Sequence, residues 1–287
     1  MNFTLTVALS EADAAVSDST TEALSILQFD TDARVQFVPA GADADIRLAL
    51  IPNSPRPDAL WMLPGNGYFE AENIDQTPSV GTQSRAGDEI AAIVQDNLDS
   101  MARAFNLLRM AGHFDYLDMN IDLRLRTKTR QQRQLADLDF SAVPVLVVND
   151  QVHVQAKNEE EFPIDINVLH IGSDYSISHF FSGRMQPGDT LKKGLFRITD
   201  GAFGRDRVVI ILSPAEPQTP VENLGFLPQE AVAVTRGTGD AAGSGFAAAL
   251  RNAGFGTVTR GAMALDDDSG PAPVILQFDI DTAPDEG

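Results

Sequence analysis

The chain has 287 residues, 43% of them hydrophobic, enough to fill one large core or two ordinary ones, so disorder is not the default expectation. With 41 acidic against 21 basic residues the formal net charge is -20, which disfavours nucleic acid and anionic membrane surfaces as partners. The absence of cysteine excludes disulfides, thiolate metal sites and a cysteine nucleophile.

Met1 to Ser10 lacks the basic stretch and apolar run of a secretory signal, and no run approaches the roughly 18 apolar residues of a membrane-spanning helix. The expected location is the cytoplasm. Phe3, Leu5, Val7 and Leu9 alternate with smaller or polar residues, the period of a strand with one buried face. Ser19, Thr20 and Thr21 offer capping oxygens to a short helix over Glu22 to Leu27. Strands are expected at Arg34 to Val38, Asp45 to Ile51 and Ala59 to Leu63, separated by Pro, Gly and Asp turns.

The strongest helix follows at 88–111. Ile90, Val94, Leu98, Met101, Phe105 and Leu108 recur at spacings of three and four, Asp88 and Glu89 suit the start, and Arg109 and Gly112 suit the end. After Gly112 the apolar period changes from 3.6 to 2, which marks a domain boundary and divides the chain into 1–112 and 113–287.

Met119, Ile121, Leu123 and Leu125 alternate with Asn120, Asp122, Arg124 and Arg126 along an amphipathic strand. Further strands are expected at Val152 to Lys157, Ile164 to Ile171, Tyr175 to Phe181, Thr190 to Ile198 and Arg207 to Leu212, with a hairpin turn at Gly172 to Asp174. No helical pattern lies between them, which favours an antiparallel β-sandwich over a parallel sheet. Pro214 to Pro220 reads as a connector, Gly237 to Gly245 as a mobile Gly/Ala stretch, Phe246 to Ala253 as a late helix and Pro273 to Ile280 as a closing strand. The expected fold class is α+β: an N-terminal mixed sheet with a long amphipathic helix, then an antiparallel β-sandwich domain with a late helix.

Few residues invite chemistry. His113, His153, His170 and His179 lie in no recognisable nucleophile motif. His153, His170 and His179 fall on expected strands, where neutral imidazoles on one face can bind zinc, but the pattern favours ordinary sheet histidines. Asp266, Asp267 and Asp268 lack the alternate-residue spacing of an EF-hand and read as a solvated turn. The glycines at 65, 67, 237, 239, 243 and 245 lack the Lys-Ser/Thr ending of a phosphate loop. No catalytic residue, cofactor or metal is therefore expected.

Partner contact has better candidates. Arg124, Arg126 and Lys128, with Arg130 and Arg133 beyond them, form the only basic cluster, and alternation places the first three on one strand face. They are positioned to receive an acidic partner surface or to solvate the strand. Trp61 and Tyr68, in the most aromatic stretch, are candidates for either a contact surface or the cap of a local core.

Four stretches, taken in order, resemble the region that follows the catalytic domain in bacterial caspase-like cysteine peptidases of the metacaspase and orthocaspase type. They are NLDSMARAFNLLRMA (Asn97 to Ala111), QVHVQAKNEEEFPIDINVLHIGSDYSISHFF (Gln151 to Phe181), MQPGDT (Met185 to Thr190) and FAAALRNAGFGTVTRG (Phe246 to Gly261). The family's catalytic His-Gly and Cys dyad lies upstream of that region, and nothing in this chain matches it. The resemblance implies a non-catalytic accessory, regulatory or protein-interaction module, with a caspase-like peptidase domain in the same or a neighbouring chain as its partner. The alternative is a stand-alone β-sandwich that binds carbohydrate or peptide.

Overall fold

The computed structural model describes residues 3–9, 16–29, 34–67, 77–111, 119–201, 203–216, 218–230, 250, 253–255 and 273–285. They have mixed α and β content and fall into two compact units, the first gathering 1–106, 230–238 and 252–255, the second 107–229, 239–251 and 256–287. The division falls inside the last turns of the long helix, at 106/107 rather than 112/113. Residues 252–255, expected in the second domain, belong to the first.

Among the described residues the first unit is a five-stranded sheet with two helices. Its strands are β1 (Leu5–Leu9), β2 (Val35–Val38), β3 (Ile46–Leu50), β4 (Ala59–Pro64) and β5 (Ser79–Gly81), in the order β2-β1-β3-β4-β5. β1 runs parallel to β2 and β3, while β4 and β5 continue antiparallel, so the sheet is mixed. The helix α1 (Asp18–Phe29) makes the crossover that parallel pairing of β1 and β2 requires. Its cap is Ser17, whose Oγ accepts from the Thr20 amide at 3.2 Å, so the helix begins one turn earlier than the Ser19 to Thr21 run suggests.

The second helix, α2 (Gly87–Ala111), carries Ile90, Val94, Leu98 and Met101 at 0% exposure. Farther along, burial departs from the simple stripe: Leu107 and Met110 are buried while Phe105 and Leu108 are half-buried. Asn106 is also fully buried and donates to the carbonyls of Phe3 (2.9 Å) and Ala253 (3.2 Å), so the start of the chain and a late segment are tied to α2 at this residue.

Among the described residues the second unit holds nine strands: β6 (Ile121–Lys128), β7 (Ala136–Asp137), β8 (Val145–Val147), β9 (Gln151–Asn158), β10 (Ile164–Ile171), β11 (Ile177–Met185), β12 (Thr190–Arg197), β13 (Gly204–Pro214) and β14 (Val274–Ala283). They form a five-stranded sheet, β11-β10-β13-β14-β8, and a four-stranded sheet, β12-β9-β6-β7. All pairings are antiparallel except β14 with β8, which is parallel and was not expected. Leu125, Val152, Val154 and Ala156 of the smaller sheet join Ile164, Ile166, Val168, Val208, Ile210 and Leu212 of the larger in one hydrophobic core. The late helix at 246–253 and the 237–245 stretch lie largely or wholly outside the described residues.

The outer surfaces of these two sheets differ. β10 and the 208–212 stretch of β13 are buried on both sides, because the 214–220 segment and its continuation lie across them. Leu224 and Leu227 are buried there, Asn167 exchanges hydrogen bonds with the backbone of Glu222 and Leu224, and Gln229 pairs with Ile177. The Pro-rich stretch is therefore a fastened strap rather than a connector alone. The described residues place no comparable cover over the outer side of β6 and β9.

Candidate functional site: a basic sheet face

Strand alternation sends Leu125, Val152, Val154 and Ala156 inward and the intervening residues outward. Cross-strand register then arranges the outward residues in rows running β6, β9, β12. They are Asp122, Lys157, Thr190; Arg124, Gln155, Lys192; Arg126, His153, Gly194; and, past an irregularity between Gly194 and Phe196, Lys128, Gln151, Arg197. Two-residue alternation predicted Arg124, Arg126 and Lys128 on one face, and the structure places them there.

The four strands carry seven basic residues (Arg124, Arg126, Lys128, Lys157, Lys192, Lys193, Arg197) against two acids (Asp122, Asp137). The five strands of the opposite sheet carry three basic residues and four acids. One-third of the basic residues of a strongly acidic chain therefore sit on one small sheet.

Not all of this charge is free. Arg124 is paired with Asp122 at 3.0 Å and Asp137 at 3.4 Å, which raises its pKa; Arg126 donates to Asp137 at 2.8 Å, and Lys157 to Glu159 at 2.8 Å. Arg130 bonds Asp285 at 2.6 Å. Arg126 also donates to Gln155 at 3.2 Å and to the Leu135 carbonyl at 3.0 Å, which fixes its guanidinium against the sheet. Lys128, Lys192, Lys193 and Arg197 make no ion pair among the described residues; the Lys193 ammonium lies over the Phe181 ring at 5.6 Å. Lys193, opposite the inward Val154, lies on the inner side of the sheet, so Lys128, Lys192 and Arg197 supply the uncompensated charge of the outward face.

At the centre is His153. Gly194, directly across from it, contributes no side chain; a Cβ there would lie 3.4 Å from Cε1 and Nδ1 of the imidazole. The ring forms the floor of a cavity of about 170 Å³ lined by Arg126, Leu135, Gln155, Lys192, Lys193 and Gly194. Its Nε2 is buried without a hydrogen-bond partner. Burial, then the nearby charges of Lys128 and Arg126, push the His153 pKa down and keep the ring neutral near pH 7.

The other sequence candidates separate. Trp61 is 0% exposed, its Nε1 donates to the Arg56 carbonyl at 3.3 Å, and Arg56 covers the ring at 4.6 Å. It is a core residue, because β4 is an interior strand between β3 and β5 and Trp61 joins Ala59 and Leu63 in a buried cluster, so its ring offers no exposed surface. Tyr68, His113, Asp266, Asp267 and Asp268 lie outside the described residues. The Gly65 turn directs carbonyls rather than amides inward: Arg47 donates to those of Gly65, Ala40 and Ala42, so an anion meets no cradle there.

The three described histidines do not converge. His153 lies on the four-stranded sheet, His170 and His179 on the other. His170 pairs with Asp206 at 3.1 Å and packs its ring on Phe196, 4.8 Å between centroids; His179 lies 3.4 Å from Asn167 Oδ1, and burial lowers its pKa. No group of three metal-binding side chains occurs among the described residues.

Sequence periodicity alone missed Lys192, Gly194 and Arg197 as companions of Arg126. The signal that joins them is cross-strand register, which alternation within one strand does not contain. No protein-family model matches the chain, and no curated protein matches it.

Proposed function

We propose that the chain is a non-catalytic accessory module that binds an acidic protein surface through the basic face of a C-terminal β-sandwich. The single observation that carries this is charge segregation, with six of the seven basic residues of four strands on one outward face of a chain whose net charge is -20. Complementary charge steers encounter and fixes register, whereas random placement gives neither.

Two features narrow the partner class. A nucleic acid would meet the same face but also the field of a net charge of -20, which repels polyanions of indefinite length far more than a compact acidic patch. A carbohydrate binder uses an aromatic platform, and the outward rows on β6, β9 and β12 contain no Trp, Tyr or Phe. The cavity at His153 is smaller than the about 300–1,000 Å³ of small-molecule sites, which fits one side chain better than a whole ligand.

The sequence resemblance supplies the identity of the partner in this proposal, a caspase-like cysteine peptidase domain in the same or a neighbouring chain. The test is retention of that domain, purified from the same source, on immobilised chain at 50 and 300 mM salt. Retention that weakens with salt and falls at least tenfold in Lys128→Glu/Lys192→Glu is the expected result. Absence of retention, or retention indifferent to the charge reversal, overturns the proposal.

A further inference from the structure

We infer that the cavity over His153 is a subsite for a side-chain carboxylate of an extended acidic segment, an inference that rests on the proposed docking role of this face. Three features meet there. Gly194 leaves one edge of the imidazole uncovered, since any side chain at that position would lie against the ring. That edge carries Nδ1 and Cε1, while Nε2 on the other side is buried. Lys192 stands at the rim, free of carboxylates among the described residues, while Arg126 is held by Asp137 and the Leu135 carbonyl.

The chemistry of the ligand follows from this set. A neutral imidazole with its proton on Nδ1, the nitrogen that faces the open space, donates to an oxygen, and Lys192 favours an oxygen that carries negative charge. The cavity holds on the order of five waters at ~30 Å³ each, room for a carboxylate and its solvent. Leu135, 39% exposed at the rim, offers apolar surface to the methylenes behind that carboxylate.

The rows explain why the carboxylate belongs to a polypeptide. Arg124, Arg126 and Lys128 are alternate residues of one strand, so successive rows repeat about every 6.4–6.8 Å. An extended segment presents alternate side chains at the same interval. Acids at its alternate positions meet the Lys192 row, the His153 row and the Lys128 and Arg197 row in turn. A free anion fills the cavity but uses none of the neighbouring rows.

The probe is a blocked hexaglutamate peptide added to the whole chain, with hexaglutamine and inorganic phosphate at equal ionic strength as comparisons. Binding is measured by calorimetry and by the imidazole resonances of His153. The expected result is that hexaglutamate shifts the His153 resonances, hexaglutamine does not, and Gly194→Val weakens binding at least tenfold. The β-branched side chain suits a strand and fills the cavity; Gly194→Ala serves if the valine variant fails to fold. Binding that leaves His153 unmoved, binding unaffected by both Gly194 variants, or phosphate that matches hexaglutamate in affinity overturns the inference. Self-association abolished by Gly194→Val also overturns it, because a second copy would then occupy the face. Peptidase retention without any response of His153 to hexaglutamate removes the subsite and keeps the docking face. Hexaglutamate binding that Gly194→Val destroys, without peptidase retention, keeps the subsite and removes the partner.

Discussion

Arg184 and Asp165 face one another across β11 and β10 and share two hydrogen bonds, Nε to Oδ1 at 2.7 Å and Nη2 to Oδ2 at 2.8 Å. The same guanidinium donates to the carbonyls of Glu216, Thr219 and Pro220, and Asp165 Oδ2 also accepts from the Glu222 amide. One ion pair therefore fastens the strap to the five-stranded sheet. Arg184→Met leaves a carboxylate of a residue 3% exposed without its cation, and removal of one member of a buried pair costs about 3 kcal/mol. Urea unfolding is expected to show that loss, together with new protease cleavage within 214–230. Arg205→Met, which removes the half-exposed pair with Asp281, is the control and costs less than about 1 kcal/mol. Equal losses in the two variants would show that Arg184 holds nothing in particular.

Asn106 tests the core of the first unit. Its side-chain amide donates to Phe3 and Ala253, residues 103 and 147 positions away, from a fully buried site. Asn106→Leu keeps the volume and removes both donors, leaving two carbonyls without those bonds at a cost of about 1–3 kcal/mol. Leu108→Ala, at a half-buried position on the same helix, is expected to cost less than Leu107→Ala, where a fully buried side chain leaves a cavity at about 2–5 kcal/mol. Thermal unfolding of the three variants gives the order directly.

Glu222 makes the strap sensitive to pH. Burial pushes its pKa above the ordinary value near 4.5; the Ser213 hydroxyl, which donates to its carboxylate, opposes that rise, and the charge of Asp165 adds to it. The folded state therefore holds a proton that the unfolded chain releases. The contribution of Glu222 to stability is full below the unfolded pKa and declines as pH rises from there through the folded value. Glu222→Gln is expected to remove this decline, so its stability relative to the parent chain improves between pH 4.5 and neutrality. A constant difference across that interval would show that the carboxyl titrates normally.

Much of the fold is legible in local periodicity. β1, β9, β10 and β13 follow from apolar alternation or apolar runs, and the first four turns of α2 from the 90, 94, 98, 101 stripe. β5, β7 and β8 are not legible, because two or three residues contain too little of a period to differ from a turn. The strap illustrates a second limit: Pro214 to Pro220 has the composition of a linker, and only the distant Asp165 and Arg184 reveal that it is fastened. The candidate site shows both cases at once. Arg124, Arg126 and Lys128 share a face by simple alternation, whereas the significance of Gly194 depends entirely on which residue of β9 lies opposite. Trp61 was ambiguous for a related reason, since aromatic content does not say whether a strand is central.

His153 and His179 set a final test on the acid side. Burial lowers both pKa values, with Lys128 and Arg126 adding to the effect at His153. The unfolded imidazoles, near 6.5, then bind protons that the folded ones refuse. Their contribution to stability is full above that value and is lost as pH falls through it toward the folded pKa. Unfolding midpoints between pH 7.5 and 5 are expected to fall in the parent chain, with a shallower fall in His153→Gln and in His179→Gln. The two variants part company when hexaglutamate is present. A carboxylate at the open edge of the ring stabilises the imidazolium of His153, so the peptide is expected to reduce the acid-side loss in His179→Gln, where His153 remains, and to leave the loss in His153→Gln unchanged. An equal effect of the peptide on both would assign it to the lysines alone.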